Sequence, residues 1–91
     1  MELKDTITLM QSDDYVERFV AEYLQLRIRK EKLEELITKY KCNELPFTPD
    51  CSIATLEARL AVMIEYMLNL EEQARIEKIN LYNVIKSRKI K

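Results

Sequence analysis

Glycine and histidine are absent from the sequence, and proline and cysteine occur only twice each among 91 residues. Without glycine there is no phosphate-cradling loop and no easy residue for the positive-φ corners that tight hairpins prefer, while helices lose nothing. Without histidine the usual general base and the commonest metal ligand are missing. Two cysteines cannot close a four-ligand zinc site, so no metal and no cofactor is expected. Cys42 and Cys51 flank a proline-containing segment and are expected as free thiols in a reducing compartment. Long apolar runs are also lacking. No stretch approaches the ~20 apolar residues of a membrane span, and residues 1–15 carry no signal-peptide pattern. A cytoplasmic location is therefore expected, with no membrane partner.

What is present suits a small helical protein. The chain is 47% hydrophobic and 34% charged with a formal charge of −1, a globular balance with no global basic field to draw nucleic acid. A chain this short buries only roughly 60–65% of its unfolded surface, so its core is marginal unless shared. Charge is uneven. Residues 1–15 hold one lysine against Glu2, Asp5, Asp13 and Asp14, whereas residues 86–91 hold Lys86, Arg88, Lys89 and Lys91 against no acid. That tail reads as a solubilising end, with nothing sequence-specific to contact nucleic acid.

The apolar positions run Val16, Phe19, Tyr23, Leu26, Leu33, Ile37, Tyr40 and then Ile53, Leu56, Leu60, Met63, Met67, Leu70, Ala74. A 3-4 spacing keeps one stripe on one side of a helix and suits antiparallel pairing. Ser12 or Asp14 can cap the first long helix, Pro46 and Pro49 must end it, and Thr48 or Ser52 can cap the second. The expected fold is all-α and a single helical-hairpin domain: a short helix over 1–12, long helices over 13–41 and 52–84, a turn at 42–51 and a basic tail at 85–91. Val20, Leu24, Ile28 and Leu36 on the first long helix, and Val62, Ile64, Tyr66 and Leu68 on the second, lie off the facing stripe. Large apolar surfaces left by a bare hairpin normally mark an interface, so a homo-oligomer is expected.

Enzyme chemistry is poorly served. Ser12, Ser52 and Ser87 have no histidine to activate them. The adjacent pairs Glu34–Glu35 and Glu71–Glu72 point about 100° apart on a helix, so neither pair shares a site. Basic residues are more informative. Arg27, Arg29, Lys30 and Lys32 crowd the first long helix, either as a solvated face with ion pairs such as Arg27–Glu31 and Lys30–Glu34, or with Arg29 and Lys32 receiving phosphate. Arg18 and Arg59 are lone bases beside apolar positions, where an arginine fork suits phosphate. Tyr15, at the junction of the short and long helices, is placed to stack on a base or supply a hydroxyl.

The run Glu17-Arg18-Phe19, Glu22, Leu26, Arg29, Lys32-Leu33, Leu36-Ile37, then Leu45, Phe47, then Leu56, Arg59-Leu60, Met63, Tyr66 and Leu70 resembles a family of small helical-hairpin phage proteins. They are related to the anti-CBASS cyclic-nucleotide sponge and to the hairpin part of the anti-Thoeris sponge. The resemblance covers about residues 15–76. Lys30 stands where that pattern has isoleucine, Arg59 where it has glutamine, and Gln73 where it has arginine. The resemblance implies a homo-oligomer, typically a hexamer, whose pockets between protomers hold cyclic di- or trinucleotides or cyclic ADP-ribose derivatives. Such a protein starves a host immune effector of its signal, in the host cytoplasm, without catalysis. It also implies Arg29 followed by Lys32, together with Arg18, as ligand-binding positions; Tyr15 and Arg59 come from the residue reading alone. The alternative is a structural or regulatory helical module that oligomerises or binds a partner without a small ligand.

Overall fold

The computed structural model describes residues 1–87. A 3-10 turn, Leu3–Thr6, leads into α1 (Ile7–Met10), followed by α2 (Tyr15–Lys41), α3 (Ile53–Ile76) and α4 (Leu81–Ser87), with no strand among the described residues. Asp14 caps α2 by accepting from the Val16 amide at 2.9 Å, while Ser12 Oγ donates to Glu17 Oε1 at 2.6 Å, so both expected capping residues act on the same end. Ser52, rather than Thr48, caps α3, accepting from the Thr55 amide at 3.2 Å.

α2 and α3 fold back antiparallel, and the two apolar stripes meet as the spacing predicts. Phe19, Tyr23 and Leu26 pack with Met67, Leu70 and Ala74 near one end. Leu33, Ile37 and Leu56 pack near the turn, with Leu60 and Met63 beside them. Lys30, the one polar interruption, lies beside the seam with its Nζ 3.3 Å from Glu34 Oε1. Among the described residues the companion pair Arg27–Glu31 does not form.

Two expectations are corrected. The second long helix does not continue to residue 84 but stops at Ile76. Lys78 adopts φ 59°, and the amides of Lys78 and Ile79 turn back to the carbonyls of Arg75 and Ala74 at 3.3 and 2.8 Å. This is the left-handed helix stop that glycine usually makes. Asn43 (φ 57°) ends α2 in the same way, through Asn43 to Tyr40 and Glu44 to Lys39 bonds of 3.2 and 2.9 Å. After the stop Asn80 starts α4, its Oδ1 accepting from the Asn83 amide at 3.0 Å. Residues 88–91, and with them most of the expected basic tail, lie outside the described residues.

The second correction follows from the first. Val20 and Leu24 are fully buried and Ile28 is 3% exposed, so they are not an open interface. Leu9 from α1 and Ile79, Leu81, Val84 and Ile85 from the returning C-terminal segment cover Val20, Ala21 and Leu24. Leu36 is likewise half-buried, against the Leu33–Ile37–Leu56 cluster. α2 is thus the central rod. α3 has no such cover, and Val62, Ile64, Tyr66 and Leu68 remain 64%, 41%, 42% and 60% exposed.

A lysine in the left-handed region costs about 1 kcal/mol or more against glycine. Lys78→Gly is therefore expected to raise the unfolding free energy by about 1 kcal/mol, read as a higher urea midpoint at unchanged slope. Lys78→Val should lower it, because a branched Cβ fits that region worse.

Candidate functional site

Three tyrosine–glutamate bonds set how α2 and α3 slide against each other. Tyr15 Oη donates to Glu77 Oε1 at 2.8 Å, Tyr23 Oη to Glu71 Oε2 at 2.7 Å, and Tyr66 Oη to Glu22 Oε2. In the antiparallel register set by the first two bonds, Lys32 of α2 stands level with the turn of α3 that carries Arg59. Arg29 lies about one turn earlier in α2.

These three bases share one groove. Arg29, Lys32 and Arg59 line a hollow of about 260 Å³ together with Leu3, Leu33 and Met63. Leu33 is buried and Met63 half-buried, so the hollow has an apolar floor. Arg29 and Arg59 are exposed, and among the described residues neither has an ion pair or hydrogen-bond partner. Lys32 Nζ lies 3.4 Å from Glu2 Oε2 in a pair that is more than half exposed on both sides, and such pairs contribute little. The 3-10 turn that brings Glu2 and Leu3 here is anchored from below: Gln25 Nε2 donates to Thr6 Oγ1 at 3.0 Å, and Thr6 is fully buried.

Arg18 and Tyr15 lie elsewhere. Arg29 is eleven positions after Arg18, just over three full turns, so both project from the same side of α2 but about 16 Å apart. Arg18 Nη1 donates to the Ser12 carbonyl at 2.8 Å and so closes the loop before α2. Tyr15 is clasped by Glu77 and also accepts from Gln73 Nε2 at 3.1 Å, its ring 6.3 Å from that of Phe19. Of the five residues singled out, Arg29, Lys32 and Arg59 are gathered and Arg18 and Tyr15 are not.

A second groove shares Lys32 with the first. About 450 Å³ in volume, it is lined by Lys32, Lys39, Glu35, Glu44, Leu36, Leu45, Pro46 and Phe47. Lys32 is common to both. Phe47 is 58% exposed on the loop between α2 and α3, and the residue reading assigned it no role. Its signal was an aromatic bracketed by Pro46 and Pro49.

Chemically the first groove can hold a multiply charged anion. Two exposed guanidinium forks and a nearby ammonium offer charge-assisted donors to phosphate oxygens, and Leu33 and Met63 offer an apolar bed. At about 260 Å³ the hollow falls just short of the roughly 300–1,000 Å³ that encloses a small organic ligand, so a larger ligand must extend beyond it. No group of three His, Cys, Asp or Glu side chains among the described residues could hold a metal ion. No helix among them is long and apolar enough to cross a membrane.

The tyrosine clasps carry a pH signature. Burial first, and then the bond to Glu71, pushes the Tyr23 hydroxyl up to about 12. The bond to Glu77 raises Tyr15, and the bond to Glu22 raises Tyr66. Below pH 10 the phenols are neutral in both folded and unfolded chains and contribute no pH dependence. As pH rises from 10 towards about 12 the unfolded chain sheds its Tyr23 proton first, so stability is lost across that window. The urea midpoint of Tyr23→Phe is expected to fall less steeply above pH 10 than that of the parent; identical slopes would remove Tyr23 from the alkaline transition.

No curated protein and no solved structure matches this chain. The family model described as Sequestin matches residues 13–78, which contain the whole of the α2–α3 hairpin together with Arg29, Lys32 and Arg59. On that match, spanning well over half of its length, the chain belongs to the Sequestin family.

Proposed function

We propose that the protein is a phage-type immune-evasion protein that binds and sequesters a host nucleotide second messenger, a cyclic di- or trinucleotide or a cyclic ADP-ribose derivative, without catalysis. The observation that carries this reading is the convergence of Arg29, Lys32 and Arg59 over an apolar floor, with neither arginine partnered among the described residues. Each arginine fork matches phosphate bidentately, and the floor suits a ribose edge or base. The family name, describing sequestration, and the resemblance to phage sponges point to capture rather than turnover. The site works in a homo-oligomer, a hexamer by that resemblance, in the host cytoplasm. Its support is the uncovered apolar face of α3 and a hollow open to receive a wall from a second copy.

The test is thermal. A ligand at 100 times its dissociation constant adds about 2.7 kcal/mol, several degrees in a domain of this size. Melting with a panel of cyclic di-AMP, cyclic di-GMP, cyclic tri-AMP and cyclic ADP-ribose isomers is expected to show such a shift for at least one member. The shift should shrink as salt rises. The exposed Val62–Leu68 face favours a second reading, a helical interaction module with no small ligand; a flat response across the panel with a stable oligomer would select it.

A further inference from the structure

We propose that the shelf formed by Leu36, Leu45 and Phe47 is a base-stacking subsite, holding the nucleobase of a nucleotide whose phosphate sits on Arg29, Lys32 and Arg59. The inference rests on the nucleotide reading above and adds where the base goes and which residue it stacks on.

Charge distinguishes the two grooves on either side of Lys32. The lining of the first has three cations and no acid, with the exposed Glu2 carboxylate paired to Lys32 at its edge and both arginines left over. The second balances Lys32 and Lys39 against Glu35 and Glu44, and Lys39 Nζ is already held by Glu35 Oε1 at 3.0 Å. A second phosphate gains nothing there, because two carboxylates meet it and the one remaining ammonium is shared with the first groove. A neutral, flat, apolar-faced group fits instead. Lys32 stands at the junction and so spans the point where phosphate passes into sugar and base.

The shelf is also prepared for a flat partner. Phe47 is 58% exposed, an aromatic face left in water on a loop whose backbone Pro46 and Pro49 restrict. Pinning the loop beforehand lowers the ordering cost of binding. Tyr15 cannot substitute: its hydroxyl is engaged by Glu77 and Gln73, and it stands at the far end of α2.

The chain contains no tryptophan and five tyrosines, so Phe47→Trp introduces a single tryptophan at the shelf that can be excited selectively at the red edge of its absorption. Each nucleotide of the panel that stabilises the parent protein is titrated into this variant, with inorganic pyrophosphate as the base-free control. The nucleotide is expected to quench and shift the tryptophan emission; pyrophosphate is expected to bind with little effect on it. Loss of stacking is worth about 5- to 150-fold per base. Phe47→Ala should therefore weaken the nucleotide by about tenfold while leaving pyrophosphate affinity within twofold, and Phe47→Tyr should restore most of the loss. Nucleotide affinity unchanged in Phe47→Ala, while Arg59→Ala still weakens both ligands, overturns the stacking subsite and leaves the cation site standing. Equal losses for nucleotide and pyrophosphate overturn it as well, since Phe47 would then act only through the loop. If neither nucleotide nor pyrophosphate binds the parent protein, the nucleotide reading fails and the subsite falls with it.

Discussion

Arg29→Ala combined with Arg59→Ala is expected to weaken binding of the nucleotide ligand by about a hundredfold or more. A hydrogen bond to a charged group contributes about 1.5–3 kcal/mol, and each arginine offers a fork of such donors to phosphate. The two face one hollow from different helices, so a single ligand engages both and their effects need not add. Each single variant should cost about tenfold. The fold should be untouched, because both side chains are exposed and neither has a partner to lose among the described residues. Arg59→Lys separates charge from shape: the ammonium keeps the attraction and loses the bidentate fork, so a partial loss is expected. Arg18→Ala is the contrasting control. Its guanidinium is spent on the Ser12 carbonyl, so it should alter stability at the start of α2 and leave affinity nearly unchanged. Calorimetric titration of the five variants at one salt concentration decides this. Equal affinity in the double variant and the parent would remove the groove from the binding site.

Leu24→Ala should bring the largest loss of stability in the chain. Leu24 is fully buried where α1 and the C-terminal segment both close on α2. Truncating a buried leucine costs about 2.7–5 kcal/mol, depending on how far the cavity collapses. Domains of this kind hold only about 5–15 kcal/mol in total. The loss is also expected to be local first: with Leu24 shortened, Leu9 and Val84 lose the surface they share, and the two short terminal segments detach before the hairpin opens. Hydrogen exchange should show protection falling in residues 7–10 and 81–86 while the α2–α3 seam stays slow. Uniform loss along the chain would mean that the terminal segments and the hairpin unfold as one unit.

The hairpin was legible because its signal is periodic and redundant. Fourteen apolar positions in a 3-4 spacing, two prolines and two good capping residues all specify the same two rods, and each could fail without changing the reading. The end of α3 was not legible. Ile76, Ile79 and Tyr82 keep helical spacing straight through the break, and the residue that turns the chain is a lysine in a conformation glycine normally takes. Asn80 was the available clue, an Asn at the start of a new helix. Missing that break also misassigned Val20 and Leu24, because the segment that buries them returns only if the helix stops. For the site, periodicity placed Arg29 and Lys32 on one face of one helix. Bringing Arg59 to them required the sliding register of the two helices, which is set by tyrosine–glutamate bonds between residues as far as 62 apart in sequence. Tyr15 and Arg18 looked equally available in sequence. Their structural engagements depend on Glu77 and the Ser12 carbonyl, which no local pattern announces.

Capture without conversion is the centre of the account, and it is tested by recovering what was captured. The protein is loaded with the nucleotide that gives the largest thermal shift and separated from free ligand by gel filtration. It is then denatured, and the released small molecule is identified by chromatography and mass. An intact nucleotide is expected, released in a fixed ratio to protein and able to activate its effector again. A hydrolysed or otherwise altered product, or a protein peak that carries no nucleotide, would contradict it.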